Sequence, residues 1–413
     1  MRTRLPPALL SEPDGAEAAT ILRACVHCGF CNATCPTYQL LGDERDGPRG
    51  RIYLIKSLLE GADTGPETQR HIDRCLTCRA CESTCPSGVR YGRLLDLVRP
   101  RLDVAVPRGR LAKLERWLLR RGVPSRAFGL LLGLGQRLRP VLPAVLARLV
   151  PRPRAAGDWP SARHARRWVA LDGCVQAHAR PSINAAAARL LDRCGQSLVR
   201  VPGRGCCGAL AYHLGAHEEA RAHARRNIDA WWPEIERGAE GIFSSATGCT
   251  TFLQDYAEIL RDDPAYAERA ASVAALVRDA TEVLRPADVV AMGLNVEARV
   301  AVQAPCSLQH GLGGAGRIEA LLQAAGAKLC AVADSHLCCG SAGAYSVLQP
   351  VISGELRARK LTALTADFPA VIATSNIGCM LHLEGAAKQP VRHWLEILDA
   401  AVGQAFSPAP PPA

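Results

Sequence analysis

Eight cysteines carry the densest chemistry in this chain, in a pattern C-x2-C-x2-C-x3-C-P written twice. The first run is Cys25, Cys28, Cys31, Cys35 and Pro36; the second is Cys75, Cys78, Cys81, Cys85 and Pro86, each 50 positions after its counterpart. Two-residue gaps let three thiolates converge on one iron-sulfur cube, while the fourth cysteine, aimed by the proline after it, reaches the other cube. The spacing therefore assigns Cys25, Cys28, Cys31 and Cys85 to a first [4Fe-4S] cluster, and Cys35, Cys75, Cys78 and Cys81 to a second. Structural zinc also uses C-x2-C knuckles, but as two pairs with a long spacer between them, not four cysteines closing on a proline. A zinc-bound scaffold or redox sensor is the alternative from a different class, and it would be colourless where iron-sulfur protein is brown.

A second duplication begins at Trp168. Cys174, His178, Cys206, Cys207 and Gly208 recur as Cys306, His310, Cys338, Cys339 and Gly340, all at an offset of 132. A later cysteine follows in each half, Cys249 and Cys379, at slightly different distances. Side chains of adjacent residues normally diverge, so a repeated Cys-Cys needs an unusual loop, for which the following glycine supplies freedom. These eight cysteines are candidates for a further cluster or metal. His178 and His310 are candidates for hydrogen bonding to cluster sulfurs, for capping the next helix, or for direct ligation. Cys194 and Cys330 fall outside the repeat and read as structural.

The elements that must position these residues follow from pattern. Candidate strands are residues 168–172, 197–201 and 241–245 in the first half, and 299–303, 329–333 and 370–374 in the second, separated by helical stretches such as 183–193 and 217–229. Alternating strands and helices predict parallel α/β sheets, with the repeated cysteines beyond the strands' C-terminal ends, where open sheets hold ligands. The expected organisation is multidomain: a helical ferredoxin-like module (1–98), a basic helical linker (99–167), two duplicated α/β cysteine-rich domains (168–290 and 291–406) and a disordered tail (407–413). Gly311, Gly313 and Gly316 form a literal G-x-G-x-x-G, but the first glycine lies several residues past its strand and the first half has no counterpart, so nucleotide binding is not expected.

Composition narrows the class. A chain of 413 residues exceeds one ordinary core. The net charge of +11 is concentrated: between Arg99 and Arg167 stand 17 Lys and Arg against three acids, a balance of +14. Arginine alternates there with leucine-rich pieces, such as LAKLERWLLRR from Leu111 to Arg121, which suits an anionic membrane surface, an acidic partner, or a linker packed on its own domains. A nucleic-acid partner is not expected. Met1 to Leu10, broken by Pro6 and Pro7, is not read as a signal peptide, and no run is apolar enough to span a membrane. A reducing cytoplasm is expected, with peripheral attachment to the inner membrane's cytoplasmic face. No catalytic grouping for organic chemistry and no flavin or NAD fingerprint stands out.

A double C-x2-C-x2-C-x3-C-P module followed by two Cys-Cys-Gly domains resembles the iron-sulfur subunits of flavin-linked dehydrogenases, over nearly the whole chain. The stretch from Cys25 to Gly61 is most similar to the glycolate oxidase member; glycerol-3-phosphate and lactate members are the alternatives. The resemblance implies an oxidoreductase subunit that takes electrons from flavoprotein partners oxidising glycolate to glyoxylate and relays them toward a membrane quinone, with the eight N-terminal cysteines as ligands. In the family the Cys-Cys-Gly domain usually ends in C-x-x-C, whereas here Cys249 is followed by Phe252 and Cys379 by His382. Each half thus keeps four repeated cysteines where the full motif has five.

Overall fold

The computed structural model describes residues 1–143, 147, 150–203 and 205–402. The tail expected to be disordered, 407–413, lies outside them.

Four helices, Pro13–Ala24, Pro48–Leu59, Pro66–Asp73 and Tyr91–Ala105, frame the N-terminal module. Three of them place proline in the first turn, where its missing N–H has no intrahelical role. Leu22, Ile55, Ile72, Leu94, Leu95 and Leu102 meet in their core. Inside each cysteine run sits one helical turn, Phe30–Ala33 in the first and Ala80–Ser83 in the second, again 50 residues apart. The helix Tyr91–Ala105 continues past residue 98 and through Pro100, carrying Leu102 into the module's core.

Two parallel four-stranded sheets follow. The first comprises β1 (Arg166–Ala170), β2 (Gln196–Val199), β3 (Gly241–Ser244) and β4 (Val277–Asp279), in the order β2-β1-β3-β4. The second comprises β5 (Arg299–Gln303), β6 (Lys328–Leu329), β7 (Val371–Thr374) and β8 (Val391–His393), in the matching order β6-β5-β7-β8. In register, Trp168 sits between Leu198 and Gly241, and Val300 between Leu329 and Val371. Central strands covered on both faces need continuous apolar side chains, which Ile242 and Phe243 of β3 and the Val-Ile-Ala-rich β5 and β7 supply. The edge strands β4 and β8 escape pattern reading because three residues hold no alternation to detect.

The two halves share one core: Trp168 and Phe243 of the first pack in a single cluster with Val300 and Trp394 of the second. The alanine-rich helix Ser182–Arg193 of the first half lies against Trp394–Ala400 of the second. Between module and sheets, the basic segment forms two helices, Arg110–Gly122 and Arg126–Leu138, the second capped by the Ser125 hydroxyl accepting from the Phe128 amide. Neither helix buries a residue.

Candidate functional site

Two neighbouring cavities in the N-terminal module divide the eight thiols between them. One is lined by Cys25, Cys28, Cys31 and Cys85, the other by Cys35, Cys75 and Cys78, and Cys81 reaches the walls of both. Each cavity thus draws cysteines from both runs.

The loops curl round these spaces through left-handed backbone at repeat-related places. His27 and Thr77 have φ of 59° and 52°, and Gly29 and Arg79 have φ of 88° and 60°. Three non-glycine residues in that region are strained, and such strain persists where the surroundings over-determine it, typically at functional sites. The turn aims main-chain donors inward: the Thr77 amide donates to the Cys75 sulfur at 3.4 Å, and the amides of His27, Arg49 and Ala80 donate to Cys25, Cys31 and Cys78. Burial pushes the thiols of Cys78 and Cys81 well up and that of Cys31 to about 11. Thiolates there need a cationic group to offset desolvation.

The geometry discriminates between groups. A single zinc at its usual bond length brings four sulfurs to about 3.8 Å from one another. Among the described residues no three thiols lie mutually within 4.8 Å, the span that groups only Asp43, Asp46 and His71. Thiols held apart around a cavity fit a polynuclear cluster. Tyr91 adds a second observation: it lines both cavities and is buried. Its hydroxyl turns to the Cys75 sulfur, as a side chain that would face a cluster bound there.

The cavities differ in setting. Cys28 is exposed, and Val26 and Phe30 beside it are 66% and 62% exposed, so the first cavity opens to the surface. The second is backed by charge: the fully buried Arg51 guanidinium donates to Thr37 Oγ1 at 3.1 Å, to the His71 carbonyl at 2.7 Å and to Asp46 Oδ1 at 3.5 Å. Thr37 Oγ1 lies 3.3 Å from Cys35 Sγ. Asp46 also accepts from Arg74 at 2.8 Å and faces His71 Nδ1 at 2.9 Å. Sequence reasoning missed Thr37, Asp46, Arg51 and Tyr91, which sit in ordinary helical or turn contexts and gain meaning only through long-range packing.

The duplicated domains gather their cysteines too. Cys174, Cys206, Cys207 and Cys249 form a file of hydrogen-bonding thiols in the first half. In the second, Cys306 and Cys338 sulfurs lie 3.9 Å apart, followed by Cys339 and Cys379. Gly208 and Gly340 adopt φ of 98° and 91°, and their amides donate to the Cys206 and Cys338 sulfurs at 3.4 Å. A Cβ on Gly340 would come 2.6 Å from the Ser353 carbonyl oxygen, so glycine is required for both angle and space.

The two halves face different neighbours. Cys306 and Cys338 share an apolar cluster with Leu76, Cys78 and Tyr345, placing the second set against the second cavity. His310 Nδ1 meets Ser83 Oγ of the N-terminal module at 2.8 Å, and its Nε2 meets the His336 carbonyl at 3.1 Å. At the matching place in the first half, His178 packs edge-on against Phe128 with ring centroids 6.4 Å apart, under the helix Arg126–Leu138. A hydroxyl contact of 2.7 Å, Thr247 to Ser307, links the helix bearing Cys249 to the helical turn that follows Cys306. Cys194 and Cys330 stand outside these files; Cys330 Sγ donates to the Asp367 carbonyl at 3.5 Å.

Thiol-lined cavities beside a duplicated cysteine-rich α/β pair define the iron-sulfur class of protein. The family model of the 4Fe-4S dicluster domain matches residues 21–89, and that of the cysteine-rich domain matches 168–254 and 300–384. The chain is 48% identical over 404 residues to the glycolate oxidase iron-sulfur subunit of Escherichia coli (strain K12), covering 97% of this chain and 99% of that protein. The probable glycolate oxidase iron-sulfur subunit of Bacillus subtilis (strain 168) is 31% identical across 87% of this chain and 88% of its own length. Lactate utilization protein A of Exiguobacterium sp. (strain ATCC BAA-1283 / AT1b) is 27% identical over 54% of this chain and 94% of its own. This chain belongs to the family of glycolate oxidase iron-sulfur subunits.

Proposed function

We propose that this chain is the electron-transfer subunit of a flavin-linked glycolate dehydrogenase complex, serving flavoprotein subunits that oxidise glycolate to glyoxylate and passing electrons toward a quinone-type acceptor. The observation that carries this reading is the crosswise division of eight thiols between two adjoining cavities. A [4Fe-4S] cluster accepts and donates electrons singly, the step needed between a two-electron flavin and a chain of carriers. Cys25, Cys28, Cys31 and Cys85 would hold one cluster, and Cys35, Cys75, Cys78 and Cys81 the other. The duplicated files, Cys174, Cys206, Cys207 and Cys249, and Cys306, Cys338, Cys339 and Cys379, would hold a further cluster or metal.

The residues of this chain have three tasks. Loop amides stabilise negative charge on the thiolates; buried side chains keep water from the second cavity; and the exposed edge at Cys28 presents the first cavity to a redox partner. Among the described residues no helix is long and apolar enough to cross a membrane. The exposed leucines and arginines of residues 110–138 support peripheral attachment to the cytoplasmic face of the inner membrane.

The test is anaerobic isolation of the native complex. Glycolate is expected to bleach its brown colour, and flavin is expected in a copurifying subunit. Bleaching by lactate or glycerol 3-phosphate and not by glycolate would assign a different substrate, and a colourless, zinc-loaded chain would defeat the reading. Cys85→Ala is expected to remove the first cavity's spectroscopic signal although it alters the second run, lowering the iron content by one cluster's share.

A further inference from the structure

The helix Arg110–Gly122 does not lie flat on the protein. It roofs a cleft of about 460 Å³ whose floor is Leu214 and Gly215 of the first cysteine-rich domain. Into the cleft face Arg108, Lys113, Arg116 and Arg120, with Leu114 and Trp117 at its apolar side and Asp103 as the lining acid.

The local charges do not cancel. Arg108 pairs with Asp73 and with Asp103 at 2.8 Å, Arg116 shares Asp73 at 3.0 Å, and Arg120 and Arg121 share Glu219 at 3.3 and 3.5 Å. Five cations, counting Lys113, thus stand against three acids, an excess of two positive charges. Lys113 has no ion-pair partner among the described residues. Glu115 belongs to the opposite side of the helix, about 200° round from Lys113. Burial foremost, with smaller contributions from Arg108 and Arg99, pulls the Arg116 guanidinium below its ordinary value against the opposing pull of Asp73.

Beside this cationic stripe Leu114 and Trp117 stand open to solvent, 51% and 49% exposed and about 100° and 40° round the helix from Lys113. Leu111 and Leu118, 83% and 53% exposed, lie farther round the same helix, and the next helix exposes Leu130 and Leu131 at 76% and 67%. A concave cluster of guanidinium and ammonium groups matches a phosphate; the adjoining apolar strip of Leu114 and the Trp117 indole matches hydrocarbon. A soluble anion would leave that strip uncovered, whereas a phospholipid satisfies both parts.

We propose that this cleft binds the phosphate group of an anionic phospholipid, whose acyl chains lie along its apolar side at Leu114 and Trp117. The assignment rests on the peripheral-membrane reading above and gives it an address.

The test uses the full, cluster-loaded chain under anaerobic conditions at low salt, sedimented with vesicles of phosphatidylcholine alone or mixed with phosphatidylglycerol. Two double variants remove equal charge: Lys113→Gln with Arg120→Gln inside the cleft, and Arg126→Gln with Arg137→Gln outside it. A Lys or Arg near an anionic surface contributes about fivefold in affinity, so the cleft pair is expected to lose about 25-fold and the outer pair clearly less. Wild-type failure to bind phosphatidylglycerol vesicles overturns the membrane reading and the site with it. Equal losses from both pairs leave the membrane reading standing and overturn the cleft. Calorimetric binding of inorganic phosphate that depends on Lys113 and Arg120, with vesicle binding unaffected by them, assigns a soluble anion and overturns the lipid. Lys113→Gln alone, at an exposed position, carries the same comparison if the double variant does not fold.

Discussion

At the residue scale, the second cavity's character rests on Arg51. Its guanidinium is fully buried and one hydroxyl away from Cys35, and with Arg74 it outweighs the single carboxylate of Asp46. Charge acts strongly in such low-dielectric surroundings, whereas Arg49 beside the first cavity is about one-third exposed, paired with Glu44, and screened by solvent. Reduction adds negative charge to a thiolate-bound group, so removing this cation disfavours it. In Arg51→Gln, the midpoint potential belonging to the second cavity is expected to fall by at least a tenfold change in the reduced-to-oxidised ratio, about 59 mV for one electron. Redox titration followed by electron paramagnetic resonance reads this, and equal movement of both midpoints would refute it. The cysteines themselves were legible in the sequence because cluster ligation dictates both residue type and spacing. Arg51, Thr37, Asp46 and Tyr91 were not, since nothing local marks an arginine that will be buried by a helix 20 residues away.

At the element scale, β8 and the helix after it tie the halves together through His393. Its Nδ1 accepts from the Leu395 amide at 3.2 Å, and its Nε2–H donates to the Ser245 carbonyl of the other half at 2.8 Å. Burial foremost pulls this imidazole down to about 4. The folded value lies below the unfolded one of about 6.5, so the neutral ring's contribution is complete above pH 6.5 and is lost as pH falls toward 4. Between about pH 7.5 and about pH 5.5 the wild type is expected to lose roughly 1 kcal/mol that His393→Gln does not. Urea unfolding at the two pH values measures it, and identical slopes in both proteins would remove His393 as the cause. The strand carrying this residue was invisible to pattern, as was β4, while β5 matched its expected span and β1, β2, β3 and β7 fell within two residues of theirs. Long, apolar central strands announce themselves; three-residue edges depend on the neighbour they pair with.

At the scale of the whole molecule, the N-terminal module is held by two unlike seams. Toward the first half the seam is charged: Arg79 to Asp255 at 2.8 Å, Arg90 to Glu258 at 2.6 Å, and Arg261 to Glu17 at 2.7 Å. Toward the second half it is apolar, with Leu76, Cys78 and Tyr345 packed together and the Tyr345 hydroxyl donating to the Arg74 carbonyl at 3.0 Å. Ion pairs near the surface weaken in salt and apolar contacts do not. Hydrogen exchange at Ala209–His213 is therefore expected to quicken in high salt, and in Asp255→Asn with Glu258→Gln, while Pro350–Thr365 stays protected. Equal quickening at both places would count against the distinction. The unequal seams also break the symmetry of the duplication. Two copies of one domain begin with interchangeable faces, yet the face at His310 is taken by the N-terminal module and its twin at His178 by an amphipathic helix. A pair that would otherwise have no front or back is thereby polarised, and exchanging the order of the halves by permutation would reverse the molecule's direction without altering either fold.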